Sequence, residues 1–470
     1  MIYISFKFYI FLIATLLIYY ILPLKLRWLV LLASSMTFYI SQSGKNFWLL
    51  LVSAFIAYAY GIAKKKGKLI LFLSILLTSM PLLVIKIADF MPTKSSSLSW
   101  LSTLGLAFYT LTLISYIVDI YKGIIEPQRN PFKFLLYVSF FPHIIQGPIP
   151  RYNRLAPKLY EGHKFDETVF SKGLQLIIWG FFLKLVIADK CAILVNNIFD
   201  NVYMYSGMFF VLGAVFFTIQ LYTDFLGCVT ICQGVAETFG ITLDNNFNHP
   251  LFSRSIKEFW RRWHLSLSSW LKDYIYIPLG GNKKGTFRKY INILITFGIS
   301  GLWHGAGIRF IIWGLIHGFY QIIGDLTKKT REFIYYKLKI EKDCLLHKII
   351  STVTTFSLVT ISFIVFRANS LKETIYIFKS ILTTFNPWVI LGQSKYLLGL
   401  DVKDYTVLIF ALIILLIVSI YQEKQCIRDA ILAQALPIRW TIYIASILFI
   451  FLFGTYGFGF NAADFIYGGF

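Results

Sequence analysis

"INILITFGISGLWHGAGIRFIIWGLIHGFYQIIG", residues 291–324, is a largely apolar run that nonetheless sets His304 between Trp303 and Gly305, with Gly301 and Gly307 close by. The flanking segments are basic. Residues 251–290 carry nine Lys or Arg against the two acids Glu258 and Asp273, and residues 325–348, "DLTKKTREFIYYKLKIEKDCLLHK", form a second cationic stretch. Segments rich in Lys and Arg stay on the cytoplasmic side of a membrane. If both do, the run between them must enter the bilayer and return. As a straight helix these residues measure about 51 Å, whereas two crossings of a hydrocarbon core need roughly 60 Å. The reading is therefore a hairpin that bends at partial depth. The glycines supply the bend, because glycine accepts backbone angles that other residues avoid. His304 then lies at the tip, inside the bilayer and turned from lipid.

The rest of the chain fits a membrane protein. Its 470 residues are 57% hydrophobic and 14% charged, against about 25% charged in soluble domains, and the mean hydropathy is +0.67. About ten to thirteen hydrophobic segments fit this length. Those in the first quarter lie near residues 5–22, 27–41, 47–63, 69–90 and 100–121. The first reads as an uncleaved span, since it is too long for a signal peptide and no small-residue cleavage site follows. The loops alternate in charge: Lys25, Arg27, Lys64, Lys65, Lys66 and Lys68 lie in loops one and three, and Lys45 and Lys94 in loops two and four. This places the N-terminus outside the cytoplasm. Further apolar segments run near 170–198, 206–240, 349–366, 375–391, 405–421 and 438–460. The second of these is long enough for one long helix or two short ones.

Two stretches break the pattern. Residues 132–152, "FKFLLYVSFFPHIIQGPIPRY", contain Pro142, Pro148 and Pro150, which a regular spanning helix does not accommodate. Irregular backbone at membrane depth is tolerated inside protein or beside a watered cavity, so this segment reads as re-entrant or buried, with His143 and Gln146 lining a cavity or packing. Residues 241–290 are polar, aromatic and basic, and their helix-like alternation of apolar and cationic residues suggests an amphipathic helix at the cytoplasmic interface. With no internal repeat, residues 1–470 read as a single integral-membrane domain.

The net charge of +22 fits first of all cytoplasmic loops near anionic lipid, and secondarily an anionic donor or acceptor such as a phosphate-bearing thioester carrier; nothing points to nucleic acid. The five cysteines form no CxxC pair, and no HxxxH or HExxH pair supports a metal site. The chain also lacks a GxSxG elbow and a GxxxxGK[ST] loop. Of the seven histidines, His304 and His264 (in "FWRRWHLSLSSW") stand in the least ordinary settings. A histidine suits general-base chemistry because its pKa lies near neutrality. Asp224, in "LYTDFLG", is costly within an apolar helix and calls for an internal partner or a watered cavity.

The blocks "NNFNHPLFSRSIKEFWRRWHLSLSSWLKDYIYIPLGGNKKG" and "GLWHGAGIRFIIWGLIHG" resemble the alginate O-acetylase branch of the membrane-bound O-acyltransferases. So do "LGLAFYTLTLISYIVDIYKG", "FFPHIIQGPIPRY", "IQLYTDFLGCVTICQGVAETFGI", "FIVFRANS" and the closing "FIYGGF", in order across roughly residues 100–470. The resemblance implies an all-α polytopic bundle with re-entrant hairpins and a central tunnel, in which an acyl group from a cytoplasmic thioester reaches an acceptor hydroxyl. It implies a catalytic role for His304, and for His264 less directly. Arg261, Arg262 and Asp273 lie in the same interfacial block, with Asn248 just before it. Trp303 beside the donor chain and Asp224 complete the candidate donor-binding set. The chain departs from the family at "DFLGCVT", where Thr230 stands in place of a second acid.

The expected function is O-acetylation of a secreted or cell-envelope polysaccharide from a multi-pass position in the plasma membrane. The donor would be acetyl-CoA or another acyl thioester, with no bound cofactor or metal. Membrane lipid and an extracytoplasmic acyltransferase or polysaccharide synthase are the expected partners. D-alanyl transfer to teichoic acid and a non-enzymatic polysaccharide export scaffold remain as alternatives.

Overall fold

The computed structural model describes residues 3–89, 103–305, 307–341, 344–392 and 398–456, and among them the regular structure is helical throughout. In chain order the α-helices are α1 (Phe6–Ile21), α2 (Arg27–Ser43), α3 (Trp48–Ile62), α4 (Lys68–Asp89), α5 (Leu106–Tyr121), α6 (Pro131–Ser139), α7 (Tyr152–Glu161) and α8 (Glu167–Phe181). They continue with α9 (Asp189–Asp200), α10 (Met208–Glu237), α11 (Ile256–Phe259), α12 (Leu265–Leu271), α13 (Gly285–His304), α14 (Ile308–Leu326) and α15 (Lys328–Lys337). The last are α16 (Leu345–Arg367), α17 (Leu371–Thr383), α18 (Trp388–Leu391), α19 (Val402–Gln422), α20 (Ile427–Leu432) and α21 (Leu436–Phe453). Six stretches of the described residues are long and apolar enough to cross a membrane, and α1 and α5 are shorter apolar helices. The chain is thus a polytopic helical membrane protein. The closing "FIYGGF", Lys94 and Ala306 lie outside the described residues.

The chain divides into two compact units. The first comprises the described residues up to Phe181 together with Gly227–Asn245, the last part of α10 and the residues that follow it. Its core is aromatic: Tyr3, Phe8, Phe38 and Phe141 pack ring against ring, and the Tyr19 and Tyr20 hydroxyls donate to the carbonyls of Phe239 and Thr238. Residues 140–151 are irregular and almost wholly buried, as the prolines require. The Gly147 amide donates to the His143 carbonyl, and His143 Nε2 donates to the Tyr137 carbonyl at 3.2 Å. His143 therefore packs with a partner. Arg27 donates to the His163 carbonyl, Lys133 sits over the Trp28 ring and the Tyr58 hydroxyl donates to the Arg129 carbonyl. These contacts tie the start of α2 and the last turns of α3 to the segments that follow α5 and α7.

The second unit holds residues 182–226 and 246–457, of which those through 456 are described. Its central feature is the hairpin of α13 and α14. The helices run antiparallel, and a side chain on Gly301 would collide with the Phe310 carbonyl oxygen, as one on Gly314 would with that of Phe297. Small residues permit such close backbone approach between apolar helices. Gly314→Val is accordingly expected to destabilise the protein by roughly 1–3 kcal/mol, read as a lower aggregation temperature in detergent; an unchanged midpoint would mean that the helices part without cost.

The arms are longer than the apolar run suggested. They begin at Gly285 and end at Leu326, 20 and 19 residues, each about 30 Å long. The apolar run covers only part of each arm, and the helices continue through the flanking cations. Lys289 Nζ meets Asp325 Oδ2 at 2.6 Å and the Tyr290 hydroxyl meets it at 3.0 Å, closing the open end. Lys284 and Lys329 thus flank the same end. Cysteines placed there, with Cys344 and Cys426 replaced, are expected to resist membrane-impermeant maleimide in intact cells. Labelling of either would contradict a cytoplasmic hairpin base.

Residues 251–290 do not form the expected amphipathic helix. α11 is a single turn, His264 takes a left-handed conformation (φ 45°), and α12 is seven residues long before the chain loosens into a π-turn at Lys272–Tyr276. Burial explains the difference. Phe259, Trp260 and Trp263 turn inward against Trp313, His317 and Phe363, so the block's aromatic residues belong to the core. Part of the basic stretch 325–348 is helical as well, in α15.

Candidate functional site

His304 is the last residue of α13, where the chain breaks at Gly305 before α14. Its side chain is 1% exposed. Trp303, Trp313 and Phe366 surround the ring with centroids at 4.9, 5.1 and 5.9 Å. The hairpin tip and α16 thus hold the imidazole in an aromatic box. The fourth ring against it is His264, at 6.3 Å. Two imidazoles some forty residues apart in sequence are brought together in one buried aromatic cluster of the second unit.

His264 caps α12 and is fully buried, with Phe225 at 4.8 Å and Trp303 at 5.9 Å. Its Nδ1 meets Asn246 Oδ1 at 3.2 Å. Asn246 Oδ1 also accepts from the Ser266 amide at 3.1 Å and the Ser266 hydroxyl at 2.8 Å. His264 lies outside the apolar spans, and burial pushes its imidazole down to about 3, so the ring is neutral at physiological pH. A neutral imidazole offers a basic nitrogen at one edge and a donor at the other.

His317 has another occupation. The Trp260 indole donates to His317 Nδ1 at 3.3 Å, so His317 carries its proton on Nε2 and donates to Ser362 Oγ at 2.9 Å; that hydroxyl in turn donates to the Val359 carbonyl. Both ring nitrogens are used, as in a packed structural residue. No group of three metal-ligating side chains occurs among the described residues.

Trp303 packs against both site imidazoles. Arg262 is held by two carboxylates, Glu258 at 2.9 Å and Glu423 at 3.2 Å, while Arg261 is exposed. Asn248 is exposed and its amide donates to the Arg262 carbonyl, and Asp273 lies in the π-turn. Asp224 is buried in an ion pair with Lys184 at 2.6 Å, and Lys184 also meets Asp189 at 2.7 Å. The structure therefore joins His304, His264 and Trp303. Asp224 belongs to a separate ionic cluster, and Arg262 faces carboxylates. Sequence reasoning missed Asn246, Trp313 and Phe366 at the pocket, and Lys184 in the cluster. Lys184 stands in "WGFFLKLVIADK" and could have been found by the same rule that singled out Asp224.

The model of the membrane-bound O-acyltransferase family matches residues 128–356. A protein of Pseudomonas putida named "Probable alginate O-acetylase AlgI" is 33% identical over 360 residues, 74% of this chain and 70% of that one. The peptidoglycan O-acetyltransferase of Helicobacter pylori is 33% identical over 57% of this chain and 56% of its own length. The teichoic acid D-alanyltransferase of Bacillus subtilis is 28% identical over 57% of this chain and 70% of its own length. The family match spans both the block that carries His264 and the hairpin that carries His304. This protein belongs to the membrane-bound O-acyltransferases, and is an O-acyltransferase.

Proposed function

We propose that the protein transfers an acetyl group from acetyl-CoA at the cytoplasmic face of the plasma membrane toward O-acetylation of a secreted or cell-envelope polysaccharide. The observation that carries this reading is the pairing of His264 and His304 in one buried aromatic pocket. In the transfer, the acceptor hydroxyl oxygen bonds to the thioester carbonyl carbon and the carbon–sulfur bond breaks. The hydroxyl proton passes to an imidazole nitrogen and then to the departing thiolate. A positioned base contributes roughly 10²–10⁴-fold to such a step, and exclusion of water limits hydrolysis of the thioester. His304 is assigned as that base and His264 as its neighbour in the same proton exchange. An extracytoplasmic acyltransferase or a polysaccharide synthase is the partner proposed to receive or present the acyl group.

The named activities of the alginate and peptidoglycan relatives support acetyl transfer to a glycan. The teichoic acid relative favours a second reading, D-alanyl transfer from a carrier protein, at lower identity. Cells lacking the protein and cells complemented with it separate the two. Loss and return of alkali-labile acetate in the envelope polysaccharide supports acetyl transfer; loss of ester-linked D-alanine supports the alternative. Failed polymer export with normal acylation would indicate a scaffold.

Arg261 is the cation proposed to meet the donor's phosphates, since Arg262 is already neutralised by Glu258 and Glu423. Arg261→Ala is expected to raise the apparent KM for acetyl-CoA several-fold, about 1 kcal/mol in exposed charge pairing, with a smaller change in kcat. An unchanged KM assigns Arg261 to anionic lipid.

A further inference from the structure

We infer that Asn246 is a positioning residue for acyl transfer: it fixes His264 in the Nδ1–H tautomer and leaves Nε2 as a bare acceptor in the pocket. The inference rests on the reading of His264 as part of the reacting pair and extends it to a residue outside the pair.

One donor at the Asn246 side chain has an identity that is not open to choice. The Ser266 backbone amide can only donate, and it points at the Asn246 side chain at 3.1 Å. The atom it meets must be the carboxamide oxygen, so the amide cannot be reversed. The Ser266 hydroxyl donates to the same oxygen at 2.8 Å. The remaining contact of that oxygen is His264 Nδ1 at 3.2 Å. An oxygen accepts, so Nδ1 carries the hydrogen, and Nε2 of the neutral ring has a lone pair. Nε2 is buried and meets no hydrogen-bond partner in the protein. In a pocket that is otherwise aromatic, it is a basic nitrogen with nothing to accept from until a substrate brings a hydroxyl, an amide or a water.

The local backbone enforces the arrangement. The Leu265 amide donates to the Asn246 carbonyl and the Asn248 amide donates to the Arg262 carbonyl, both at 2.9 Å. These bonds clamp residues 246–248 against the turn that holds His264 at φ 45°. A non-glycine residue in that conformation is uncommon and persists where its surroundings over-determine it. Asn246 Nδ2 is itself buried without a partner, a destabilising feature. His317, by contrast, has both ring nitrogens engaged.

The groups facing His264 are few. Among the described residues, Phe225 of α10, Trp303 and His304 of α13, and the Asn246 side chain face it, and His304 is the titratable one. A carboxylate in place of the carboxamide would keep the acceptor at Nδ1 and add a charge that stabilises the imidazolium. Its sign is fixed: the His264 pKa rises, so activity falls away at a higher pH as the medium is acidified.

The test uses full-length Asn246→Leu, Asn246→Asp and His264→Ala, each purified in detergent and returned to membranes of the deleted strain. Acetyl incorporation from acetyl-CoA is measured per monodisperse molecule, across pH 5 to 9. Asn246→Leu is expected to lower kcat on the order of 10²-fold with little change in KM, the signature of a lost tautomer. Asn246→Asp is expected to retain more transfer than Asn246→Leu and to gain an acidic limb absent from the parent. A normal kcat in folded Asn246→Leu, beside an inactive His264→Ala, overturns the positioning role while leaving His264 in the reaction. If Asn246→Leu does not fold, an Asn246→Asp profile with no new acidic limb overturns it. Full transfer by His264→Ala overturns both the role of Asn246 and the reading of the pair.

Discussion

Replacing His304 by Gln is expected to lower acyl transfer per folded molecule by roughly 10²-fold or more, the usual worth of a positioned base. Gln is the informative variant because of where the ring lies. The imidazole is 1% exposed and enclosed by Trp303, Trp313, Phe366 and His264. His304→Ala would open a cavity among those rings, and the loss of atoms from a packed interior is itself destabilising. Gln fills much of the space and keeps a hydrogen-bonding group, but it has no basic nitrogen. The measurement is acetyl incorporation normalised by the monodisperse fraction in detergent. A Gln variant that transfers at near the parental rate removes His304 from the proton transfer and leaves His264 as the base. A variant that is inactive and aggregated would instead assign His304 to packing.

The hairpin and its tip were legible in the sequence because they follow from coarse quantities: the length of an apolar run, the cations at both ends, and glycines where the chain must turn. The buried irregular segment at residues 140–151 was legible for a similar reason, since prolines exclude a helix whatever surrounds them. The details of the 251–290 block were not. Its alternation of apolar and cationic residues fits a surface helix equally well, and only tertiary burial of Phe259, Trp260 and Trp263 decides otherwise. Nor does sequence place Asn246 against His264. Their contact depends on a left-handed residue and two backbone bonds, which carry no periodic signature. Asn248, two residues away and the asparagine singled out as a donor-binding candidate, is exposed.

The second large effect concerns a site away from the imidazoles. Lys184→Met is expected to destabilise the protein by about 3–5 kcal/mol, the usual consequence of removing one partner from a buried ion pair. Lys184, Asp189 and Asp224 are 3%, 5% and 2% exposed at their side chains, and Lys184 Nζ lies 2.7 Å and 2.6 Å from the two carboxylates. Without the ammonium, two carboxylates remain close together in a low-dielectric interior, and at least one must take up a proton or draw in water. The cluster joins the π-turn at Phe182–Ala188 and the first turn of α9 to the middle of α10. A cation in an apolar run and an acid far along the next long helix thus specify each other. The same geometry separates two accounts of Asp224. If Asp224 binds donor or acceptor, Asp224→Asn should lower transfer in molecules that remain folded. If it is the counter-ion of Lys184, Asp224→Leu should lower stability, and Lys184→Met combined with Asp224→Leu and Asp189→Asn should recover much of the loss, because uncharged groups of similar volume replace buried ion pairs at little net cost. Thermal unfolding in detergent of the parent, single and triple variants gives the coupling directly. Additive losses, with no recovery in the triple variant, would contradict the ionic lock. Recovered stability with transfer still absent would return Asp224 or Asp189 to the reaction.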